Sequence, residues 1–190
     1  MKKRRPLIFL NSPVILLFTG ICLLALLASN LTGGRSNDLL FSVYRSSLAS
    51  PFTYLRFIGH VFGHVSREHF MGNIMMILVI GPLLEEKYGS ANIAIVILVT
   101  ALITGIIQFV FFPGVQLMGA SGVVFAFILL SSFTSFRDGS IPLTFLLVAC
   151  IYLGEEIYDG IFLRDNVSNL THIVGGLIGA ALGYLMNKKN

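Results

Sequence analysis

The sequence predicts an all-α membrane protein built as a bundle of six transmembrane helices. Of its 190 residues, 55% are hydrophobic and only 12% are charged, whereas about 25% of the residues of a soluble domain are charged. The mean hydropathy is +0.86. These values exclude an ordinary soluble domain and a disordered chain. At about 20 residues per membrane-spanning helix, the length allows roughly six or seven spans in one membrane domain.

Six apolar runs are separated by charged residues or by turn-forming residues, as expected of transmembrane helices with short connections. They are Val14–Ala28, Phe70–Leu84, Ile93–Phe112, Ser121–Phe136, Ile141–Leu153 and Leu170–Met186. The predicted organisation is a basic tail over residues 1–13, one membrane domain over residues 14–186 and a short tail over residues 187–190. Because the number of spans is even, both termini lie on the same side of the membrane.

Basic residues at the two ends of the chain predict which side that is. Lys2-Lys3-Arg4-Arg5 precedes the first run and Lys188-Lys189 follows the last, so the termini are expected in the cytoplasm. The first run also resembles a signal peptide closed by the small residue Ala28, but a retained anchor agrees better with this charge distribution.

The compact size and the basic start favour a bacterial plasma membrane. The charges form no stripe, so the expected partners include membrane lipids and no nucleic acid.

The connection Leu31–Glu68 is long and mixes aromatic residues with arginines. This composition predicts a segment at the level of the lipid headgroups. His60 and His64 lie in it and His69 follows, and three imidazoles could in principle bind zinc. The His-Glu-x-x-His pattern of a zinc protease is missing, so His60 and His64 are interpreted as hydrogen-bonding anchors of the connection.

Polar residues begin the second, fourth and sixth runs, which all start on the same side of the membrane. His69, Ser121 and His172 therefore reach one depth, and Asn73 shares a helix face with His69 because the two are four residues apart. The run Ser121–Phe136 has 16 residues, about 24 Å of helix against a hydrocarbon core of about 30 Å. Ser121 is thus expected below the membrane surface, and the four polar residues predict a functional site.

Small residues predict how the sixth helix packs. Gly175 and Gly179 share a stripe with His172, and Gly122 and Ala126 form a matching stripe on the fourth span. Glycine stripes let transmembrane helices approach closely. Contact between these stripes would bring His172 within reach of Ser121.

Serine and histidine together allow nucleophilic acyl transfer, because an imidazole can accept the hydroxyl proton at neutral pH. His69, Asn73 and the backbone N–H of Ser121 could donate hydrogen bonds to the oxyanion. The relevant span halves contain no acidic residue to orient His172, which predicts a dyad. No metal or other cofactor is implied, and no oligomeric state is specified.

The alternative is a membrane protein without catalysis. It would be a small transporter or a substrate-binding pseudoprotease, with the paired carboxyl groups of Glu155 and Glu156 carrying a proton or an ion. A position at the membrane interface explains the same pair more simply.

The sequence resembles the rhomboid intramembrane serine proteases from Ser50 to Tyr184. The resemblance rests on His69-x-x-x-Asn73, Gly119-x-Ser121-Gly122 and His172-x-x-Gly175-x-x-x-Gly179, with further matches at Arg56, His60, His64, Glu85 and Gly89-Ser90. It implies a six-transmembrane-helix rhomboid bundle that cleaves single-span transmembrane proteins near the outer membrane face. Ser121 would be the nucleophile, His172 the general base, and His69 and Asn73 the oxyanion-hole donors.

Three positions depart from the family pattern. One is Thr171, which stands where a small alanine often precedes the histidine. Leu55 stands where the family has the tryptophan of a Trp-Arg pair, which bears on how the first connection docks into the membrane. Phe125 stands where a tyrosine is common, and its ring can still stack on His172.

Overall fold

A computed structural model describes residues 10–133, eight positions between 143 and 154, and residues 166–188. Six continuous α-helices are described: α1 (Pro13–Thr32), α2 (Pro51–Gly59), α3 (Arg67–Tyr88), α4 (Ser90–Phe111), α5 (Ser121–Ser132) and α6 (Asn166–Lys188). A π-helical segment (Asn37–Phe41) and a 3₁₀ turn (His60–Phe62) lie between α1 and α3. In the described part of the chain, β pairing is limited to one antiparallel bridge between Val43 and Leu117. The all-α class is confirmed.

Three of the described helical stretches are long and apolar enough to cross a membrane: Pro13–Thr32, Ser90–Phe111 and Asn169–Asn187. Ser121–Ser132 is apolar but shorter. The protein is an integral membrane protein, and the count of six spans stays a prediction. Six of the thirteen residues of the fifth predicted run (Ile141–Leu153), both Glu155 and Glu156, and the two ends of the chain lie outside the described residues.

Helix α1 extends four residues beyond the predicted end of its apolar run, Ala28. It continues to Thr32 because Gly33, with φ of 59°, provides a left-handed C-cap whose N–H donates to the Ser29 carbonyl. The Thr32 hydroxyl also donates to the Ala28 carbonyl at 2.8 Å. Hydrogen bonding in the last turn, rather than the loss of apolar residues, sets where this helix ends.

The N-terminus of α1 is capped by a carboxyl group from α3. Glu85 is 4% exposed, and its two oxygens accept the N–H groups of Val14 (3.1 Å) and Ile15 (3.0 Å). The Ser90 hydroxyl donates to the same carboxyl group at 2.6 Å. A helix N-terminus has N–H groups without a helical acceptor and carries a partial positive charge. A carboxyl group there accepts hydrogen bonds from these N–H groups and is attracted by the charge. This contact fixes the start of α1 against the end of α3.

Helix α5 is shorter than predicted. It ends at Ser132, whereas the fourth run was expected to continue to Phe136; residues 134–136 lie outside the described part of the chain. The hydroxyl groups of Ser131 (2.7 Å) and Ser132 (3.2 Å) both donate to the Ile128 carbonyl. Such side-chain bonds compete with the helical backbone pattern and favour its end. Eight of the twelve residues of α5 are buried, so this helix occupies the core of the bundle.

The connection between α1 and α3 is folded rather than extended. Gly59 and Gly105 make this possible, since a Cβ on Gly59 would meet the Leu40 carbonyl and one on Gly105 would lie 3.0 Å from the Phe57 Cα. Arg56 is buried and donates to the Ser46 hydroxyl at 2.7 Å. Helix α2 therefore packs on α4 with its arginine turned inward. Its level relative to the headgroups stays a prediction.

Helix α6 packs along α5 through the predicted glycine stripe. A Cβ on Gly175 would collide with the backbone of Gly122, and one on Gly179 would collide with the backbone of Ala126. Only hydrogen atoms in place of side chains permit this approach. The predicted contact between the two stripes is confirmed, and it sets the position of His172 relative to α5.

We expect Glu85→Gln to destabilise the protein. The amide keeps the shape of the side chain but presents an NH₂ group where an oxygen accepts an α1 N–H. Hydrogen bonds to charged groups contribute about 1.5–3 kcal/mol, and a loss of that size should lower the Tm in detergent. Glu86→Gln, at the exposed neighbouring position, is the matched control. Equal Tm values for the two variants would contradict the capping role.

We expect Gly179→Ala to destabilise the α5–α6 contact because the colliding atoms of Ala126 are backbone atoms that cannot turn away. Overpacking of this kind costs about 1–3 kcal/mol. Gly176→Ala is the control on the same helix, since its Cβ would lie 3.5 Å from the Leu129 side chain, an ordinary contact. Thermal unfolding of both variants in one detergent checks this. A Gly179→Ala protein as stable as Gly176→Ala would refute it.

Candidate active site

Ser121 is the first residue of α5 and is half-buried. The chain reaches it through Gly119, whose φ of 140° lies in a region that favours glycine. Because Ser121 begins the helix, its backbone N–H belongs to the group of N–H donors without a helical acceptor. The sequence thus places a hydroxyl and backbone donors at the same point.

His69 packs directly against Gly119, two residues before Ser121. A Cβ on Gly119 would lie 2.7 Å from the His69 Cε1 atom and 3.0 Å from its Nε2 atom. Any side chain at position 119 would therefore displace this imidazole. Gly119 serves two purposes here, the backbone turn into α5 and room for the ring of His69.

Asn73 lies one turn after His69 on α3 and is 8% exposed. Its Nδ2 atom donates to the His69 backbone carbonyl at 3.1 Å. Both predicted oxyanion donors thus occupy one face of the first turns of α3, as the spacing of four residues indicated.

His172 stacks on Phe125. Their ring centroids are 4.4 Å apart and their planes differ by 7°. Phe125 is four residues after Ser121, so its side chain and that of Ser121 lie on the same face of α5. Stacking therefore holds the His172 imidazole over the face of α5 that carries Ser121.

His69 packs against Gly119 just before α5, and His172 stacks on Phe125 in the first turns of α5. The beginnings of α3, α5 and α6 consequently meet at one end of the bundle. The structure brings together the four polar residues that the sequence singled out, His69, Asn73, Ser121 and His172.

His60 and His64 anchor the connection around this site. His60 Nε2 contacts the Ala101 carbonyl at 3.0 Å, and the His60 carbonyl accepts the Gly119 N–H at 2.9 Å. His64 Nδ1 contacts the Phe62 carbonyl at 3.2 Å. Burial lowers the pKa of both imidazoles to about 4, so they are neutral at physiological pH.

The alternative zinc site of His60, His64 and His69 is not formed. The rings of His64 and His69 meet edge to face with centroids 5.2 Å apart, whereas His60 turns toward α4. Among the described residues, no group of three potential ligands is arranged to hold a metal ion.

The segment between α4 and α5 is held at three points. Val43 and Leu117 exchange backbone hydrogen bonds of 2.9 and 3.0 Å, and Gln108 Nε2 donates to the Val115 carbonyl at 2.8 Å. Together with the bond from Gly119 to His60, these contacts fix the path of the chain into Ser121. Loop residues far apart in sequence thus position the start of α5.

Ser66 also supports the site, although it is not among the predicted site residues. It is the N-cap of α3, and its hydroxyl accepts the His69 N–H at 3.1 Å. A serine followed within the first turn by an acidic residue, Glu68, is a recognisable start signal for a helix. That signal could have identified Ser66 as the residue that orients the turn carrying His69.

The arrangement can support acyl transfer. It provides a hydroxyl at a helix start, an imidazole stacked above that helix face, and an imidazole and an amide on a neighbouring helix. These are the parts of a nucleophile, a base and donors for a developing oxyanion.

Known proteins carry the same domain. The rhomboid domain family matches residues 51–189. Rhomboid-related protein 2 of Mus musculus is 30% identical over 158 residues, which cover 72% of this chain and 52% of that protein. The chain thus spans about half the length of the mouse relative.

The matches to two bacterial relatives cover more of this chain than the match to the mouse protein does. Rhomboid protease GlpG of Haemophilus influenzae is 24% identical over 182 residues, covering 92% of this chain and 91% of that protein. Rhomboid protease GlpG of Salmonella choleraesuis is 24% identical over 180 residues, covering 91% of this chain and 63% of that protein. Since the family match extends over more than half of the sequence and includes every residue of the candidate site, the chain belongs to the rhomboid family.

Proposed function

We propose that the protein is an intramembrane serine endopeptidase that cleaves single-span transmembrane proteins with a Ser121–His172 dyad. The observation that carries the proposal is the stacking of His172 on Phe125, one helical turn from Ser121. Family membership and the printed names of the bacterial relatives support proteolysis.

In the proposed first step, the Ser121 Oγ attacks the carbonyl carbon of the scissile peptide bond and His172 accepts the hydroxyl proton. The electron pair of the carbonyl moves to its oxygen, and His69, Asn73 and the Ser121 N–H donate to this oxyanion. When the intermediate collapses, the C–N bond breaks. His172 then gives its proton to the departing amine, which leaves an ester on Ser121.

Water completes the reaction. It attacks the ester carbonyl while His172 accepts one of its protons. The ester bond to Ser121 breaks, the carboxyl product leaves, and His172 returns the proton to the serine oxygen. Stacking on Phe125 positions the His172 imidazole for these proton transfers.

The length of α5 supports a site below the membrane surface. Its twelve residues span about 18 Å, against a hydrocarbon core of about 30 Å. A substrate cut at that depth would be a transmembrane helix entering from the lipid. Basic residues flanking the first and last apolar runs favour cytoplasmic termini in a bacterial plasma membrane, and with six spans this orientation would put the site toward the outer face.

We expect Ser121→Ala and His172→Ala each to lower cleavage of a single-span reporter by roughly 10⁴-fold or more, with the double variant no worse than either. Nucleophile and base act as one unit, so their losses do not add. Purified protein in proteoliposomes with the reporter provides the measurement. Ser132→Ala, which alters a serine at the other end of α5, is the control and should cleave normally.

Covalent labelling distinguishes a serine protease from a membrane protein without catalysis. A fluorophosphonate probe should label Ser121, require His172 and tolerate a chelator. A Ser121→Ala protein that still cleaves the reporter would refute the dyad. A folded wild-type protein that neither labels nor cleaves would favour a pseudoprotease or a transporter.

We expect Asn73→Ala to retain weak activity. Loss of one oxyanion donor lowers kcat by roughly 10²–10³-fold, equivalent to about 2.7–4 kcal/mol. KM should change little, since the donor acts mainly in the transition state. Asn30→Ala, at an exposed position on α1, is the control. An unchanged kcat in Asn73→Ala would exclude Asn73 from the oxyanion hole.

A further inference from the structure

The glycine stripe of α6 repeats every four residues and has three members. Two of them, Gly175 and Gly179, meet backbone atoms of α5. The third, Gly183, faces side chains instead, and a Cβ there would lie 3.0 Å from a ring atom of Phe133. The backbone contact with α5 thus uses two glycines of a stripe that has three. Close packing by itself does not specify which two.

The third glycine permits a second position of α6 along α5. If α6 shifts by one turn toward its own N-terminus, Gly179 and Gly183 take the places of Gly175 and Gly179. A shift of four residues is about 6 Å along the axis. The place beside Leu129, now held by a glycine, would receive Ala180, and a Cβ there lies at an ordinary 3.5 Å from the leucine side chain. The shifted position is therefore free of backbone collisions along the stripe.

The opposite shift is blocked. It would bring Thr171, four residues before Gly175, against the backbone of Gly122, where a Cβ collides. Only the shift toward the N-terminus of α6 is sterically permitted. That shift would carry the His172 ring about 6 Å along the axis and off the face of Phe125. The imidazole would then no longer stand over the first turns of α5.

A hydrogen bond at the far end of α6 is specific for the observed position. The Asn187 Nδ2 atom donates to the Tyr88 hydroxyl at 2.9 Å and to the Gly183 carbonyl at 2.8 Å. Both amide protons are therefore used, and the side chain is fixed. A shift of about 6 Å would take the amide out of reach of Tyr88. The bond to Gly183 lies within α6 and would move with the helix.

Tyr88 is held in place independently of α6. It is the last residue of α3 and is 8% exposed. Its carbonyl, at a helix end that lacks further helical donors, accepts a hydrogen bond from the Asn92 amide of α4 at 2.7 Å. The N–H of the next residue, Gly89, donates to the Glu85 carbonyl at 2.9 Å. The Tyr88 hydroxyl is thus a fixed point against which α6 is positioned.

We propose that the Tyr88–Asn187 hydrogen bond selects one of the two positions that the glycine stripe permits, and that both side chains are positioning residues for His172. A polar contact among apolar helices can specify register in this way. Stacking of His172 on Phe125 favours the same position from the other end of α6. The selection of register does not depend on proteolysis, whereas its effect on cleavage rests on the proposed function.

Distances between pairs of spin labels measure the position of α6 in the full chain in liposomes, with Cys22 and Cys150 replaced by alanine. Labels at the exposed positions Leu83 and Leu177 connect α3 to α6. The shift moves Leu177 away from Leu83, so the shifted position gives a second, longer distance. Labels at Leu83 and Leu102 connect α3 to α4 and should give the same distance in every variant.

Tyr88→Phe removes only the hydroxyl group and should raise the ratio of the longer to the shorter distance about three- to twentyfold, the range for hydrogen bonds between membrane helices. Asn187→Ala should raise it similarly, and the double variant no more than either. Tyr184→Phe removes a hydroxyl from a 52% exposed position of α6 and is the control. An unchanged ratio in Tyr88→Phe would overturn the proposal.

Gly183→Ala distinguishes a change of register from a loss of stability. In the shifted position its methyl group would collide with the backbone of Ala126, whereas in the observed position it meets the Phe133 ring, which can turn aside. Adding Gly183→Ala to Tyr88→Phe should therefore restore the single short distance, although the protein carries two changes. A longer distance that persists in this double variant would refute the shift.

Cleavage of the reporter tests the consequence for His172. The kcat of Tyr88→Phe should fall as the longer distance appears and recover when Gly183→Ala is added. An unchanged kcat alongside a shifted α6 would overturn the positioning role. If the distances change as expected but the wild-type protein cleaves nothing, the proposed protease function fails and the selection of register stands.

Discussion

The close approach of α6 to α5 is the contact on which the candidate site depends. Gly175 and Gly179 present only hydrogen atoms to the backbones of Gly122 and Ala126, so the two helices pack backbone to backbone. Lipid is as apolar as the helix surfaces, and close van der Waals packing therefore supplies much of the attraction between membrane helices. A side chain at either glycine would push α6 away and carry His172 with it.

The first connection and the segment before α5 form a second constraint, from the other side of the site. The carbonyl of His60 holds the N–H of Gly119, and Val43 pairs with Leu117. Since burial keeps the His60 imidazole neutral, this support needs no buried charge. The helices thus determine where His172 lies, and the loops determine where Ser121 begins its helix.

The two ends of the bundle differ in chemistry. One gathers imidazole, amide and hydroxyl groups at the starts of three helices. At the other, Glu85 caps α1 and Lys87 lines an open cavity only two residues later. The same turn of α3 therefore both contacts a helix N-terminus and lines a cavity.

The sequence by itself determined the helical class, the apolar runs and the polar residues that begin them, because hydrophobic length and charge position act locally along the chain. It also indicated the glycine stripe, since helical periodicity fixes which residues share a face. Only the tertiary structure decided that the His172 ring stacks on Phe125, that Gly119 makes room for His69, and that α5 stops at Ser132. These features depend on which backbone lies opposite and which carbonyl is within reach, and residues distant in sequence supply both.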